Sequence, residues 1–591
     1  MATPIRIYPP PPKPTHPDVS KLRRRFADDG GSVSDALQIR PSAFDNAGAG
    51  LFVKEAVKEG EVLARVPERF LMRPMGYGVV VDDSGEDPEV PDELRDLIAK
   101  VPSQNWMLRL ALLVLYHQMN RTPHWYDDYL MTLPESFPSI PMFFKQGDLK
   151  ALQHPNPNAI SHRLWFLQQM HRQIYGPIAN THQDPFAPLA KENDLAAGQK
   201  PLTLKSVAWA QAVVTSRSLR GSSGGGPGMM CPLLDMCNHS SWPSAAVQHE
   251  VDGEGRVRGV RLVALRDLPE GEELTVSYGR MSNALLVMDY GFVEPNNPYD
   301  RVTITFDHKI AGEAFRTIGL DDRRIVPGRF DSLPCPHRRP LLKQLYLLPT
   351  DIDKAIKEGE RDKEREAMAM AQQSDASATA TATSRGREKD VILVKEEGNT
   401  TIRETTYADA PKERRREPAG ERGAAAAAAG NAAAGNATEA PHIYRPRVHL
   451  GGDILVDKRL LAAVRVLLSS GDELEGRSLR ELAEWATPLS STNEMVTLKA
   501  LVALIGLVEY ADFDTSLEDD LRSLASGRIP TGHTDWGTED YVSVTPALDV
   551  TLRYRVERKR LLQRVREGLQ RRLADVKHRY VTGQRALRSA G

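Results

Sequence analysis

A long segment of low complexity divides this chain into two stretches that could each build a hydrophobic core. Residues 357–445 contain ATATAT, AAAAAAGNAAAGNA and mixed charge runs, with few large apolar side chains. Such a segment cannot bury enough apolar surface to offset its ordering entropy, so we predict a disordered low-complexity insertion there. Within it, the run DVILVKEE is the one stretch compatible with a local strand.

The length and charge of the chain limit the classes of protein to which it can belong. At 591 residues it exceeds the usual size of a single core, which predicts at least two domains. Apolar residues make up 41% and charged residues 26%, as in ordinary globular proteins. The formal net charge of -2 provides no field that would attract nucleic acid or an anionic membrane. We therefore expect neither of these partners, and we expect a monomer.

Cysteine usage and the N-terminal residues bear on the compartment. The three cysteines, Cys231, Cys237 and Cys335, support neither a disulfide framework nor a four-cysteine zinc site. The first residues, MATPIRIYPPPPKPTHPDVSKLRRRF, lack the apolar core of a secretory signal and are poor in serine. We predict a disordered Pro-rich and basic arm over 1–35 and an intracellular protein of the cytoplasm or nucleus. A plastid location stays open as an alternative, although the first residues do not form a convincing transit peptide.

The stretch before the insertion changes from strand-like to helical patterns. Short β-type runs at Leu51–Val53 and Val62–Val66 are punctuated by glycine. A helical insert is predicted from about 92 to 220, and its clearest segment begins at Ser103. In that segment, apolar residues recur at i, i+4, i+7 and i+8: Trp106, Leu110, Leu113 and Val114. The run GSSGGGPG at 221–228 then predicts a flexible loop.

The stretch after the insertion is predicted to be helical from 446 to 580. Ser491-Thr492-Asn493-Glu494 has the spacing of a capping box ahead of MVTLKALVALIGLVEY, which predicts a helix start. The last long helix carries one apolar stripe, formed by Leu562, Val565, Leu569, Leu573 and Val576.

Three separated motifs carry chemistry only when they are taken together. DNAGAGLF at 45–52 supplies a G-x-G, PLLDMCNHSSW at 232–242 turns from apolar to polar, and GEELTVSYGRMSNALLVMDYGFV spans 271–293. Each alone is a weak signal, because turns and strand ends often contain Gly, Asn, His or Tyr. In this order and spacing they resemble the SET-domain methyltransferases, and more closely the branch of the Rubisco large-subunit lysine methyltransferase. The resemblance covers roughly residues 40–300.

The resemblance implies an α+β fold with a defined domain order. A β-rich SET domain with a clip-like or knot-like arrangement of strands would occupy 36–300 and contain the helical insert. An all-α domain would follow over 301–356 and 446–580, split by the insertion at 357–445. NEMVTLKALVALIGLVEYADFDTSLEDDL and RYRVERKRLLQRV are similar to the substrate-binding domain of that branch.

The resemblance also implies a cofactor, S-adenosyl-L-methionine, and the residues that bind it. Glycines would let the cofactor approach the backbone closely, and an arginine fork would hold its carboxylate. Asn238 and His239 match the NH motif that seats its methionine and adenine ends. The matched cofactor-binding positions are Gly48, Gly50, Glu61, Leu63, Arg217, Asn238, His239 and Phe292.

The implied reaction is methyl transfer to a lysine side chain of a non-histone protein. Tyr278 matches the catalytic tyrosine, and the carbonyls of Ser216 and Asp235 match positions that hold the target amine, beside Arg217 and Tyr278. No metal is expected, because Cys231, Cys237 and His239 lack a C-x2-C pair and a fourth ligand.

Two other functions stay open at this point. A sister branch methylates a histidine of actin and resembles W-D-x-x-N-H, whereas here Leu234 precedes Asp235. The smaller apolar residue favours lysine. A non-catalytic SET scaffold that binds protein partners is the third reading, and the joint presence of Arg217, Asn238, His239 and Tyr278 counts against it.

Overall fold

The computed structural model describes most of the two predicted ordered stretches. It covers residues 19–44, 47–74, 90–120, 126–153, 158–187, 189, 202–219, 227–253, 257–320, 337–347, 389–396, 399–406, 447–452, 454–470, 472–530 and 541–589. The predicted arm up to residue 18, the loop residues 221–226 and most of the insertion at 357–445 lie outside the described residues. The fold is α+β, as the sequence predicts.

Two compact units divide the chain. The first comprises Met1–Val302, Gly451–Asp453 and Asp512–Gln563, and the second Thr303–Leu450, Ile454–Ala511 and Arg564–Gly591. The domain boundaries drawn from the sequence remain predictions.

The strands of the described residues are short and mostly antiparallel. In chain order they are β1 Ser32–Val33, β2 Leu37–Pro41, β3 Ala49–Val53, β4 Val62–Pro67, β5 Asn238–His239, β6 Ala245–Val251, β7 Val257–Ala264, β8 Thr275–Val276, β9 Arg301–Thr305, β10 Lys389–Glu396, β11 Asn399–Thr406, β12 Arg447–Gly451, β13 Arg528–Pro530 and β14 Tyr541–Ser543.

The α-helices are concentrated in two parts of the chain. They are α1 Val19–Asp28, α2 Asp92–Lys100, α3 Trp106–Met119, α4 Asp127–Leu130, α5 Gln146–Leu152, α6 Asn158–Met170, α7 Leu204–Arg217, α8 Asn283–Tyr290, α9 His308–Thr317, α10 Arg338–Gln344, α11 Lys458–Leu468, α12 Leu479–Ala483, α13 Ser491–Asp512, α14 Leu517–Ser526 and α15 Pro546–Ser589. The described residues also include a π-helical turn at His171–Tyr175 and single 3₁₀ turns at Glu68–Phe70, Ser103–Asn105, Pro141–Phe143, Leu234–Met236 and Asp472–Leu474.

The first unit is built on a four-stranded antiparallel sheet in the order β1-β4-β7-β6. Leu63, Ala64 and Val66 of β4 are fully buried, whereas Val62 is 39% exposed, and a register shift between Val62 and Ala64 interrupts the strict alternation of faces. The sheet and the hairpin of β2 and β3 share one hydrophobic core, which also contains Leu51 and Leu234.

Helices between residues 92 and 217 form a second core of the same unit. Helix α3 packs against α7, and the predicted apolar stripe of α3 contributes Leu110, Leu113 and Val114 as buried residues. Helix α7 begins at a capping box. In it, the Thr203 hydroxyl accepts from the backbone N–H of Ser206, and the Ser206 hydroxyl accepts from the backbone N–H of Thr203. The helix ends at Arg217, and the backbone N–H of the next residue, Ser218, donates to the Val214 carbonyl.

Helix α1 differs from the prediction of an unstructured arm up to residue 35. Val19, Leu22 and Phe26 are buried, and the Phe26 ring lies 5.0 Å from the Phe70 ring. Their i, i+3, i+7 spacing gives the segment an apolar face. The neighbouring prolines and arginines in the sequence hide this short pattern.

The second unit contains the helix predicted from the capping box, but its cap differs by one residue. Helix α13 begins at Ser491, and the hydroxyl of Ser490 accepts from the backbone N–H of Asn493 at 3.0 Å. The Glu494 carboxylate does not reach back to the cap. It accepts hydrogen bonds from the buried Arg465 guanidinium at 2.7 and 2.9 Å. A buried charge needs such a partner more than an exposed helix end does.

Short strand pairs accompany the helices of the region predicted to be all-α. Strand β12 pairs with β9, and β13 pairs with β14. Within the insertion, β10 and β11 pair as a hairpin, and β10 overlaps the DVILVKEE run. Among the described residues, no helix combines the length and apolar character that crossing a bilayer requires.

Candidate functional site

A short parallel strand pair in the first unit joins two of the three sequence motifs. Asn238 pairs with Thr275 and His239 with Val276, and the backbone N–H of Ser240 donates to the Val276 carbonyl at 3.1 Å. The backbone N–H of Tyr278 donates to His239 Nδ1 at 3.1 Å. The NH motif is therefore fixed to β8, the strand that leads to Tyr278.

The orientation of the His239 ring follows from these bonds. A backbone N–H can only donate, so Nδ1 is the accepting nitrogen and the ring proton lies on Nε2. Nε2 faces Glu294 Oε2 at 3.6 Å. Burial alone would raise the pKa of Glu294, but hydrogen bonds from His239 and Ser241 outweigh it and lower that pKa. Glu294 therefore stays ionised beside the ring.

Four aromatic rings pack around this junction. The His239 centroid lies 5.1 Å from that of Tyr278 and 6.0 Å from that of Phe292, and Tyr278 stacks on Tyr290 at 5.0 Å. Gly291, which lies between Tyr290 and Phe292 in the sequence, has φ +78°, and a Cβ there would lie 2.6 Å from Ser139 Oγ. Glycine is thus required to turn Phe292 back toward His239.

The Tyr278 hydroxyl is held on the backbone of the polar motif. It donates to the Cys237 carbonyl at 2.8 Å. Burial of the hydroxyl raises the pKa of Tyr278 well above its ordinary value. The group is therefore a neutral hydroxyl, suited to contact a reacting group through its oxygen rather than to act as a phenolate.

A cavity of about 380 Å³ is lined in part by Tyr278 and Cys237. Four residues predicted from the sequence line it: Ser216, Arg217, Asp235 and Tyr278. Leu234, Val276 and Ala245 add apolar wall, and Tyr290 adds a second aromatic ring. The end of α7, the polar motif and the end of the strand leading to Tyr278 therefore meet at one cavity.

A buried polar chain supports the floor of the cavity. Arg217 Nη1 donates to the Asp235 backbone carbonyl at 3.1 Å and lies 3.5 Å from Asp235 Oδ2. The fully buried Tyr129 donates its hydroxyl to the same Oδ2 at 2.7 Å. Burial raises the pKa of Asp235, while Arg217 and Tyr129 oppose that increase. No local sequence pattern points to Tyr129, because it lies 106 positions from its partner.

The two predicted glycines have different surroundings. Gly48 has φ +72°, and a Cβ on it would meet no atom within 4 Å. A Cβ on Gly50 would overlap Glu273 Oε1 and lie 3.1 Å from Asn238 Nδ2. Open space therefore lies beside Gly48, whereas the space at Gly50 is filled by the chain itself. Glu273 is a second residue that sequence reasoning missed.

The structure does not bring Glu61 and Leu63 to the cavity. Leu63 is fully buried in the core under the sheet. Glu61 is exposed in the turn before β4, where its carboxylate accepts from the backbone of Lys58 at 3.2 Å. Asn238, His239 and Phe292 do not line the cavity either, but their contacts join them to Tyr278 and Glu273.

The side chains at the junction offer oxygen and nitrogen groups and two cysteine thiols. Cys231 and Cys237 are both buried, and burial raises the pKa of each thiol, so neither is a reactive thiolate. Within the described ranges, no cluster of three or more His, Cys, Asp or Glu side chains could hold a metal ion. What remains is a neutral hydroxyl, a guanidinium fork, an amide and several carbonyls around a partly apolar cavity.

Comparison with known proteins identifies two matching domains. The profile of the SET domain matches residues 48–279, and that of the Rubisco LSMT substrate-binding domain matches residues 440–566. N-lysine methyltransferase SETD6 of Mus musculus is 27% identical over 263 residues, 44% of this chain and 51% of that protein. Actin-histidine N-methyltransferase of Papio anubis is 26% identical over 288 residues, 48% of this chain and 43% of that protein. The chain thus spans about half the length of the curated relatives it matches.

A solved structure resembles the chain over most of its length. The SET domain of LSMT bound to lysine and AdoHcy aligns with 95% of this chain and 94% of its own, at 15% identity and a TM-score of 0.46.

The Tyr129–Asp235 bond generates a prediction about stability. Tyr129→Phe keeps the ring but removes the donor to Oδ2 of a buried carboxylate whose Oδ1 already lacks a hydrogen-bond partner. We expect a loss of about 1–3 kcal/mol in the free energy of unfolding, measured by urea denaturation at pH 7. Tyr510→Phe, at a tyrosine that is 89% exposed, is the matched control and should change stability by less than about 0.5 kcal/mol.

The same variant should show a defined pH dependence. The Tyr129 hydroxyl lowers the pKa of Asp235, so its removal raises that pKa further. A carboxyl group whose pKa is higher in the folded state than in the unfolded state destabilises the fold increasingly as the pH rises from the unfolded-state pKa to the folded-state pKa. The cost of Tyr129→Phe should therefore be larger at pH 7 than at pH 4. Equal costs at both pH values, or no difference from Tyr510→Phe, would contradict this role.

Proposed function

Since the chain carries a SET domain followed by a Rubisco LSMT substrate-binding domain, we propose that it is an S-adenosylmethionine-dependent protein-lysine N-methyltransferase. One observation carries the proposal. A single cavity is lined by the predicted catalytic tyrosine, the predicted arginine and the two positions predicted to hold the target amine: Tyr278, Arg217, Ser216 and Asp235. The NH motif pairs with β8, the strand that leads to Tyr278.

The residues present fit the cofactor. Gly48 leaves open space beside the backbone, and Arg217 has a guanidinium fork of which Nη1 bonds the Asp235 carbonyl. Asn238 and the backbone of β5 add polar groups, and Phe292 adds an aromatic ring beside His239. When bound, S-adenosylmethionine supplies the methyl group of its sulfonium. Arg217 would pair with the carboxylate, and Asn238 and His239 would hold the rest of the methionine and adenine ends.

The cavity wall suits a lysine amine that must become neutral before it reacts. A free lysine is neutral in roughly one molecule in a few thousand at pH 7, because its pKa is near 10.4. Apolar side chains in the cavity wall, such as Leu234 and Val276, disfavour the charged form of the lysine amine and narrow the path along which the amine enters. The carbonyls of Ser216 and Asp235 can accept the remaining N–H bonds and align the nitrogen lone pair.

Tyr278 would act on the methyl group during its transfer. Its hydroxyl is kept neutral and is fixed by its bond to the Cys237 carbonyl. The lone pairs of that oxygen can accept weak CH···O contacts from a methyl group that carries positive charge. A fixed oxygen of this kind stabilises the transition state more than the ground state.

Histidine methylation is the second candidate function. Actin-histidine N-methyltransferases match this chain at an identity similar to that of the lysine methyltransferases. Leu234 favours lysine, because this residue lines the cavity at the position where the histidine-directed branch has an indole. A non-catalytic scaffold is the least favoured function, because it would not need Tyr278, Arg217 and Asp235 to share a cavity.

The partner we propose is a protein that presents an accessible lysine. The absence of nucleic-acid and membrane partners, the monomeric state and the cytoplasmic or nuclear location remain predictions from the sequence.

The choice between lysine and histidine can be tested on native substrates. We expect labelled methyl groups transferred by the full chain to proteins of a cell extract to be recovered as methylated lysine, because no indole narrows the cavity at Leu234. Amino-acid analysis of the labelled proteins is the measurement, and heat-inactivated enzyme is the control. Recovery of the label mainly as methylhistidine would overturn the lysine assignment.

Two substitutions separate chemistry from cofactor binding. Tyr278→Phe should leave S-adenosylmethionine affinity near that of the parent and lower single-turnover methylation about 100-fold or more, because the lost contact acts in the transition state. Asn238→Ala should weaken cofactor binding by about 1–3 kcal/mol in calorimetric titration, because it leaves polar partners unpaired.

Tyr299→Phe is the control, since this ring packs under Arg280 and does not line the cavity. Full activity in Tyr278→Phe would make Tyr278 a packing residue only. A parent chain that binds no S-adenosylmethionine would refute the enzyme function.

A further inference from the structure

Glu273 lies on the segment that joins the G-x-G motif to the NH motif. The residue after it, Leu274, donates its backbone N–H to the Leu51 carbonyl at 2.7 Å. The residue after that, Thr275, pairs with Asn238 in the parallel ladder. The backbone at Glu273 is therefore fixed between β3 and β5, the strands that carry the two motifs.

The side chain of Glu273 bonds to both neighbouring segments. The Ser42 hydroxyl lies 2.9 Å from each carboxylate oxygen, and the backbone N–H of Ala43 donates to Oε2 at 3.4 Å. Asn238 Nδ2 donates to Oε1 at 2.6 Å. The carboxylate fills the space beside Gly50, where a Cβ would overlap Oε1. A glycine at position 50 is therefore needed for this bond to form.

The chemistry of the carboxylate decides which way the Asn238 amide faces. An ionised carboxylate only accepts hydrogen bonds, so the amide must present its NH₂ group to Glu273. Oδ1 is then the remaining acceptor of the side chain. The α-ammonium group of S-adenosylmethionine has three N–H donors and a positive charge, and a fixed amide oxygen is an acceptor of the right kind for it.

We propose that Glu273 is a positioning residue, which fixes the Asn238 amide so that its oxygen receives the ammonium group of the cofactor. The inference rests on the proposed function and adds a residue to the cofactor site. Without Glu273 the amide can rotate by half a turn and present its NH₂ group to the ammonium, which repels it. Ser42, the residue after β2, helps to fix the Glu273 carboxylate by placing its hydroxyl within hydrogen-bond distance of both carboxylate oxygens.

A double-mutant cycle on the full chain tests whether Glu273 acts through Asn238. S-adenosylmethionine affinity is measured by calorimetry for the parent, Glu273→Ala, Asn238→Ala and the double variant. We expect Glu273→Ala to raise the dissociation constant about 10-fold, the effect of losing one charge-assisted hydrogen bond. In the Asn238→Ala background the same change should have little further effect, because the two residues act as one unit.

Steady-state kinetics supply a readout that loss of folding alone would not give. Glu273→Ala should raise KM for S-adenosylmethionine while kcat at saturating cofactor stays close to that of the parent. Glu272→Ala is the matched control, because the neighbouring carboxylate pairs with Arg266 and not with Asn238. It should leave both KM and kcat unchanged. Thermal melting checks each variant, and Glu273→Leu, which also lacks an acceptor, replaces Glu273→Ala in the cycle if the alanine variant does not fold.

The outcomes separate this inference from the proposed function. A parent that binds the cofactor and a Glu273→Ala variant of unchanged affinity would overturn the role of Glu273 and leave the methyltransferase proposal standing. Equal losses of affinity in the parent and Asn238→Ala backgrounds would show that Glu273 acts independently of Asn238, which also overturns the inference. A parent that binds no cofactor would refute the proposed function and this inference with it.

Discussion

The parallel pairing of Asn238–His239 with Thr275–Val276 is the constraint on which the rest of the site depends. It is only two residues long, yet it brings together motifs that are separated by more than thirty positions of sequence. Neighbouring hydrogen bonds also stabilise this pairing. Tyr278 donates its backbone N–H to His239 and its hydroxyl to the Cys237 carbonyl, so the strand end is tied twice to the polar motif. Because both partners of each bond are backbone or rigid ring atoms, the tyrosine oxygen has little freedom to move.

Buried polar groups beneath the cavity make this geometry specific at an energetic cost. The Asp235 side chain is removed from water and depends on Tyr129 and Arg217 for its hydrogen bonds and its charge balance. Removing one member of such a set costs more than the set contributes, because the remaining charge stays buried. Tyr129, which is not among the residues that line the cavity, thus acts through Asp235 on Arg217, which we propose to bind the carboxylate of the cofactor.

The sequence predicts the parts of the site that lie in short local motifs, and it fails where partners are distant. Asp235 and Tyr278 lie in motifs that occur in a recognisable order, Arg217 is implied by the resemblance, and all three line the cavity. Tyr129 and Glu273 carry no local pattern, since a tyrosine in a short helix and a glutamate in GEEL have many ordinary roles. Only the folded chain shows that each bonds to a residue of the polar motif.

Other differences have the same origin. The capping-box spacing at Ser491 is real in sequence, but Glu494 is needed as the partner of buried Arg465 and the cap moves to Ser490. Leu63 matches a cofactor-contacting position by pattern, yet its side of β4 faces the core. In both cases a tertiary contact decides the role that a local motif leaves open.

Hydrogen–deuterium exchange of the full chain with and without S-adenosylmethionine tests most directly whether this strand junction is the cofactor site. We expect the cofactor to slow exchange of backbone amides in residues 47–50, 237–240 and 273–279, because binding stabilises the junction against local opening. Protection confined to other parts of the chain, with these three segments unchanged, would contradict it.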